Sequence, residues 1–144
     1  MLRTPAVPGA FEAIGRLVPL FGETWLVSKC GPRIQQRSLE WLAHHRFWAR
    51  TGVAEGNVRF CLRRPEKAIH CAELGITHFI DDKPDVIAAI TPVVANRYLF
   101  VDWKTTETAV LRDLSTTARG SHSRERQQQV WRRRLRPEVP APPS

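Results

Sequence analysis

The sequence predicts an α/β fold in which a mostly parallel sheet carries helices on both faces. Short apolar runs of strand length alternate with segments of helical period. The links between them are short, and Gly or Pro stands at several element ends. With 144 residues, 42% of them hydrophobic, the chain is long enough to bury one real core. Strand and helix alternating in this way build βα units.

Phe11, Ile14, Leu17, Val18 and Phe21 follow helical spacing, and Thr24–Ser28 reads as a short buried strand. Gly31-Pro32 opens a second helix, with proline at the first helical position. Its apolar residues are Ile34, Trp41, Leu42 and, more loosely, Trp48. Asn57–Cys61 is a weaker strand. Pro65 and Glu66 start a helix that runs through Leu74, and Gly75 stops it. Ile76–Ile80 is a third strand, Pro84–Ile90 a short helix, Arg97–Val101 a fourth strand and Thr105–Leu114 a closing helix. Trp25, Trp41 and Trp48 are expected in the core.

The net charge of +8 is unevenly placed. Residues 1–114 carry 15 Lys/Arg against 12 Asp/Glu, whereas residues 115–144 carry seven Arg against Glu125 and Glu138. This last stretch offers too little apolar surface to offset the entropy of ordering, which predicts a disordered Arg/Pro-rich tail. A short helix over Gln127–Leu135 is the one element expected in it. The domain expectation is therefore an α/β core over 1–114 and a tail over 115–144. The tail arginines, with Trp131, suit salt-sensitive binding to nucleic acid; the competing reading is a solvated end.

No apolar run reaches the roughly 18–20 residues of a membrane helix, and the start lacks the apolar stretch of a signal peptide. The odd count of three cysteines (Cys30, Cys61, Cys71) has no C-x-x-C pair. It argues against a disulfide scaffold and fits a reducing cytoplasm. The same cysteines with His44, His45 and His70 lack the spacing of a zinc site.

In parallel α/β sheets ligands bind at the carboxyl ends of strands. That rule selects Ser28-Lys29-Cys30-Gly31 and Asp81-Asp82-Lys83-Pro84-Asp85. Adjacent carboxylates about 4 Å apart repel by ~1 kcal/mol in water and ~4 kcal/mol at an effective dielectric of ~20. A divalent cation removes that conflict, and carboxylates with water are what Mg²⁺ prefers. The competing reading makes Asp81, Asp82 and Asp85 loop and capping residues of the Pro84 helix. Ser28 precedes a helix start, where a hydroxyl and backbone N–H groups form an anion site or simply a cap. Lys67 lies in the first turn of its helix, where a cation opposes the macrodipole unless an anion is bound.

Ser28 after one strand, Lys67 at a helix start and a strand ending in Asp81-Asp82 together resemble the haloacid dehalogenase-like (HAD) phosphatase superfamily, at its second, third and fourth motifs. The resemblance spans residues 5–112. It is closest over Val-Pro-Gly-Ala-Phe-Glu-Ala-Ile (7–14), Trp-Leu-Val-Ser-Lys-Cys-Gly (25–31) and Gly-Ile-Thr-His-Phe-Ile-Asp-Asp (75–82), which look like bacterial members with a small cap or none. It implies a three-layer, Rossmann-like sheet and a Mg²⁺-dependent phosphoaspartyl mechanism on a phosphorylated small molecule. In that mechanism Ser28 binds a phosphoryl oxygen and Lys67 neutralises nucleophile and phosphate. Asp81 or Asp82 holds Mg²⁺, and Asp85 orients the metal's surroundings.

The family's first motif, Asp-x-Asp on a central first strand, is not matched, since the chain has no aspartate before Asp81. The resemblance then implies a sheet lacking its first central strand, with two unpaired strand edges. No phosphatase activity is expected of the chain as written. A start placed too late is one explanation, and a non-catalytic phosphate- and Mg²⁺-binding module is the other.

Overall fold

The computed structural model describes residues 4–118 and 128–131. Helix α1 (Ala10–Leu17) buries Phe11, Ile14 and Leu17, as their spacing predicts. Gly15 lets it lie close to the chain beyond: a Cβ there would stand 3.3 Å from the Arg50 carbonyl oxygen. Strand β1 (Glu23–Lys29) and helix α2 (Pro32–His44) follow, with Pro32 at the helix start.

The expected continuation of α2 towards Trp48 is not observed. Arg46 takes a left-handed φ of 55°, and the chain restarts as α3 (Phe47–Thr51). The turn brings Phe47 into full burial, with its ring 5.5 Å from that of Phe11. Burial of that aromatic outweighs the cost of one left-handed residue.

Strand β2 (Val58–Cys61) leads to helix α4 (Glu66–Leu74). Gly75 ends α4 at φ 66°; a Cβ there would meet nothing within 4 Å, so the dihedral alone asks for glycine. Strand β3 (His78–Asp81) starts two residues later than expected and is buried throughout. Helix α5 (Pro84–Ile90) and strand β4 (Asn96–Leu99) come next. Helix α6 (Trp103–Ala118) is longer than the expected Thr105–Leu114 and passes the expected core boundary at 114. Asp102 explains its earlier start, accepting from the Thr105 backbone N–H at 2.7 Å and from its hydroxyl at 3.0 Å.

β1 and β2 form one parallel pair, and β3 and β4 another. Between them lies β5 (Gln128–Trp131), parallel to both, which gives the order β2-β1-β5-β3-β4. Two expectations are corrected here. The central gap with two open edges is filled, and residues 128–131 are a strand where a helix over Gln127–Leu135 was expected. Strands facing each other across a gap leave two rows of backbone N–H and C=O groups to be paired. A segment that pairs with both rows gains two ladders, enough to override weak helix propensity. The rest of the expected disordered tail lies outside the described residues.

Alternation along the strands divides the core. Leu26, Ile80 and Tyr98 join the cluster built on Phe11, Leu17, Trp41, Phe47 and Trp103. Val27 and Phe79 join Cys71, Val86 and Ile90. Of the three tryptophans expected in the core, Trp41 lies within it, while Trp25 and Trp48 are partly buried against its edges. Among the described residues no helix is long and apolar enough to cross a membrane.

Candidate functional site

Ser28 is the sixth residue of β1 and Asp81 the last of β3, so parallel pairing brings both to the carboxyl end of the sheet. The register orders that end. Trp131 of β5 stands opposite Leu26 and Ile80, leaving Ser28 and Asp81 just beyond its last described residue on either side.

Lys67 and Asp81 are both fully buried, and Nζ lies 3.0 Å from Oδ2. A surface lysine was the ordinary alternative for position 67, and the structure excludes it. An unpaired charge at that depth would cost several kcal/mol, so each group is tolerable only because of the other. The second oxygen of Asp81 accepts from the Lys83 backbone N–H at 2.9 Å. The carboxylate is thereby clamped on both sides.

Asp82 points its carboxylate elsewhere, with Oδ2 3.6 Å from Lys83 Nζ and its side chain 9% exposed. Successive strand-end residues face opposite sides of the sheet, which separates these two carboxylates. Asp85, in the first turn of α5, is 59% exposed and lies 3.4 Å from Arg64 Nη1. Its observed partner is therefore an arginine across the loop.

Among the described residues, Ser28 Oγ is buried and has no hydrogen-bond partner. A buried hydroxyl left unpaired costs about 1–3 kcal/mol. The following residues show why no cap forms: α2 begins with Gly31 as its cap and Pro32 next, and no side-chain capping bond is made. The capping alternative for Ser28 thus fails, and its hydroxyl is left available at the strand end.

Carboxylate oxygens suit Mg²⁺, which takes one or two of them and completes its octahedron with water or phosphate. Among the described residues no three His, Cys, Asp or Glu side chains converge on one point. Asp81 is held by the Lys67 ammonium and the Lys83 backbone N–H, and Asp82 stands beside the Lys83 ammonium.

Sequence reasoning missed a second buried polar group, on the same strand. His78 is 2% exposed, its Nδ1 is 2.8 Å from Thr77 Oγ1, and its Nε2 has no partner among the described residues. The ring packs edge-on to Phe21 at 4.9 Å and stacks on Tyr98 at 6.3 Å. Tyr98 donates to Asp113 at 2.7 Å. Burial lowers the His78 pKa to about 4, and burial followed by the Asp113 bond raises that of Tyr98. The available signal was parity: His78 shares the face of Ile80, which is core. Cys71, fully buried behind Lys67, has its thiol pKa pushed up to about 12 by desolvation.

No protein-family model, curated protein or solved structure matches this chain.

Proposed function

We propose that this chain is a HAD-like α/β protein of Mg²⁺-dependent phosphatase ancestry that binds phosphate and Mg²⁺ without turning a substrate over. The buried Lys67–Asp81 pair carries the reading: a fully desolvated lysine at a helix start, clamped at the carboxyl end of a parallel strand. The orphaned Ser28 hydroxyl at the matching end of β1 supports it. In this reading Ser28 and Lys67 take phosphoryl oxygens, Asp82 holds Mg²⁺ and Asp81 positions Lys67.

The strand order and the division of the core fit a three-layer, Rossmann-like arrangement with β5 in the central place. Gln128–Trp131 contains no carboxylate, and no aspartate precedes Asp81, so no residue is assigned as the phosphoryl nucleophile. Three buried cysteines, none in a disulfide among the described residues, suit a reducing, cytoplasmic setting.

Calorimetric titration with inorganic phosphate and with MgCl₂, beside a p-nitrophenyl phosphate assay, tests the reading. Heat from both ligands, weakened by Ser28→Ala for phosphate and Asp82→Asn for Mg²⁺, is expected without hydrolysis. Absence of heat from the folded protein overturns the binding reading. Turnover abolished by Asp82→Asn overturns the non-catalytic one.

A further inference from the structure

At the amino end of the sheet two buried polar groups take no part in the site described above. Thr24 on β1 is 4% exposed and His78 on β3 is 2% exposed. Among the described residues neither Thr24 Oγ1 nor His78 Nε2 has a hydrogen-bond partner. Their neighbours are engaged elsewhere. Asn57 donates to the Thr24 carbonyl and not to its hydroxyl. Thr77 meets His78 at Nδ1, and Tyr98, stacked on the imidazole, donates to Asp113. Buried donors and acceptors are costly to leave unpaired, so two of them on flanking strands ask for a common cause.

Register supplies it. Gln129 of β5 stands opposite Thr24 on one side and His78 on the other. Residues in register across a sheet share a face. Thr24 has the parity of Leu26 and His78 that of Ile80, both in one core cluster. Position 129 is therefore the one strand position between the two orphans. The next row, Trp25, Val130 and Phe79, is apolar, and Trp25 and Phe79 belong to the opposite cluster. The row after it, Leu26, Trp131 and Ile80, is apolar again. The change from polar to apolar along Gln129-Val130 thus repeats that along Thr24-Trp25 and His78-Phe79.

We propose that the slot between β1 and β3 recognises Gln128–Trp131 of this chain through that polar row, the Gln129 amide completing Thr24 and His78 together. A side-chain amide offers an acceptor and a donor at once. It therefore serves a hydroxyl and a neutral imidazole, whichever ring nitrogen carries the hydrogen. Thr24 and His78 stand two strand spacings apart, about 9.5 Å along the sheet, a gap of the size that one amide bonded at both ends can cross. The row also fixes register. A slip of one residue puts Val130 in the polar row or Gln129 between Trp25 and Phe79, and either leaves polar groups unpaired. The inference concerns the amino end of the sheet and stands apart from the phosphate-binding reading.

Hydrogen exchange followed by NMR on the full chain tests it. One glutamine side-chain amide is expected to exchange at least tenfold more slowly than the others and to vanish from the spectrum of Gln129→Leu. Glutamine side-chain amides that all exchange alike overturn the proposal and assign Thr24 and His78 to bound water. So does a slow amide that persists in Gln129→Leu. The backbone amides of 129–131 are expected to lose at least tenfold in protection in Gln129→Leu. They should regain most of it in Thr24→Val/His78→Phe/Gln129→Leu, where the whole row is apolar. Undiminished protection in the single variant overturns the proposal. A triple variant that recovers nothing also overturns it, because the strand would then depend on position 129 for some other reason.

Discussion

The two strand pairs flanking β5 end in opposite chemistry. On the β3 side every charged strand-end group has a partner: Asp81 has Lys67 and the Lys83 amide, and Asp82 has Lys83. On the β1 side, among the described residues, the Ser28 hydroxyl is orphaned and Lys29, Arg33 and Arg63 make no ion pair. The difference separates two uses of polar groups. Pairing makes burial bearable and fixes geometry. Lack of pairing costs stability unless something else completes the site.

The comparison predicts that the β3 side fails first when its pair is broken. Asp81→Ala leaves Lys67 charged and buried, and a loss of about 3–5 kcal/mol is expected in urea denaturation. The double variant Lys67→Met/Asp81→Leu removes both charges together and is expected to recover most of that loss. Recovery without phosphate binding would mark the pair as kept for the ligand. A double variant no more stable than Asp81→Ala would show that local packing, and not the buried charge, set the cost.

The same side should be acid-sensitive. His78 has a folded pKa near 4, against about 6.5 for an exposed histidine. Protonation thus favours the unfolded chain. The stability held by neutral His78 is present above pH ~6.5 and is lost as pH falls through the folded value. The loss is on the order of 2–3 kcal/mol by pH ~4. Unfolding measured between pH 7 and 5 should show this slope, and His78→Phe should flatten it, since Phe21 and Tyr98 already form an aromatic wall there. An unchanged slope would assign the acid sensitivity to other groups.

What joins the two sides is β5, and a Val130→Pro substitution addresses that joint directly. Proline removes one ladder donor from a strand that pairs on both edges. A cost of about 1–3 kcal/mol is expected, comparable to one unsatisfied buried group. Hydrogen exchange should show protection falling in β1 and β3, while the outer strands β2 and β4 change less. Equal protection in wild type and variant would mean that β1 and β3 hold their amides without β5.

The strands bearing the site were legible because apolar runs end at recognisable turn residues, as at Ser28-Lys29-Cys30-Gly31 and Asp81-Asp82-Lys83-Pro84. Helix starts at Pro32 and Pro84 and the stop at Gly75 were legible from backbone chemistry alone. The break at Arg46 was not, because a left-handed arginine leaves no local signature and its reason is the distant burial of Phe47. β5 was hidden for the same kind of reason. Gln-Gln-Val-Trp in an arginine-rich stretch has no strand pattern, and only the two facing strands make it one. At the site, position 67 was readable as a helix-start cation. Its complete burial depends on Asp81 on another element, which no local pattern encodes.

The smallest effect concerns Ser28, and it runs opposite to the usual direction for a buried polar residue. Its hydroxyl makes no hydrogen bond among the described residues, so replacing it by a hydrogen removes an unsatisfied group and only a small volume. Ser28→Ala is therefore expected to leave stability unchanged or raise it by about 1 kcal/mol or less. On the β3 side, truncating a buried polar group costs several times that. Phosphate affinity should move the other way and fall by roughly tenfold, the equivalent of one hydrogen bond to a charged ligand. Denaturation and calorimetry on the one variant read both quantities. A Ser28→Ala protein that is destabilised by more than 1 kcal/mol would mean the hydroxyl has a structural partner in solution. A fall in affinity at undiminished stability would mean that β1 ends in a group whose partner is the ligand.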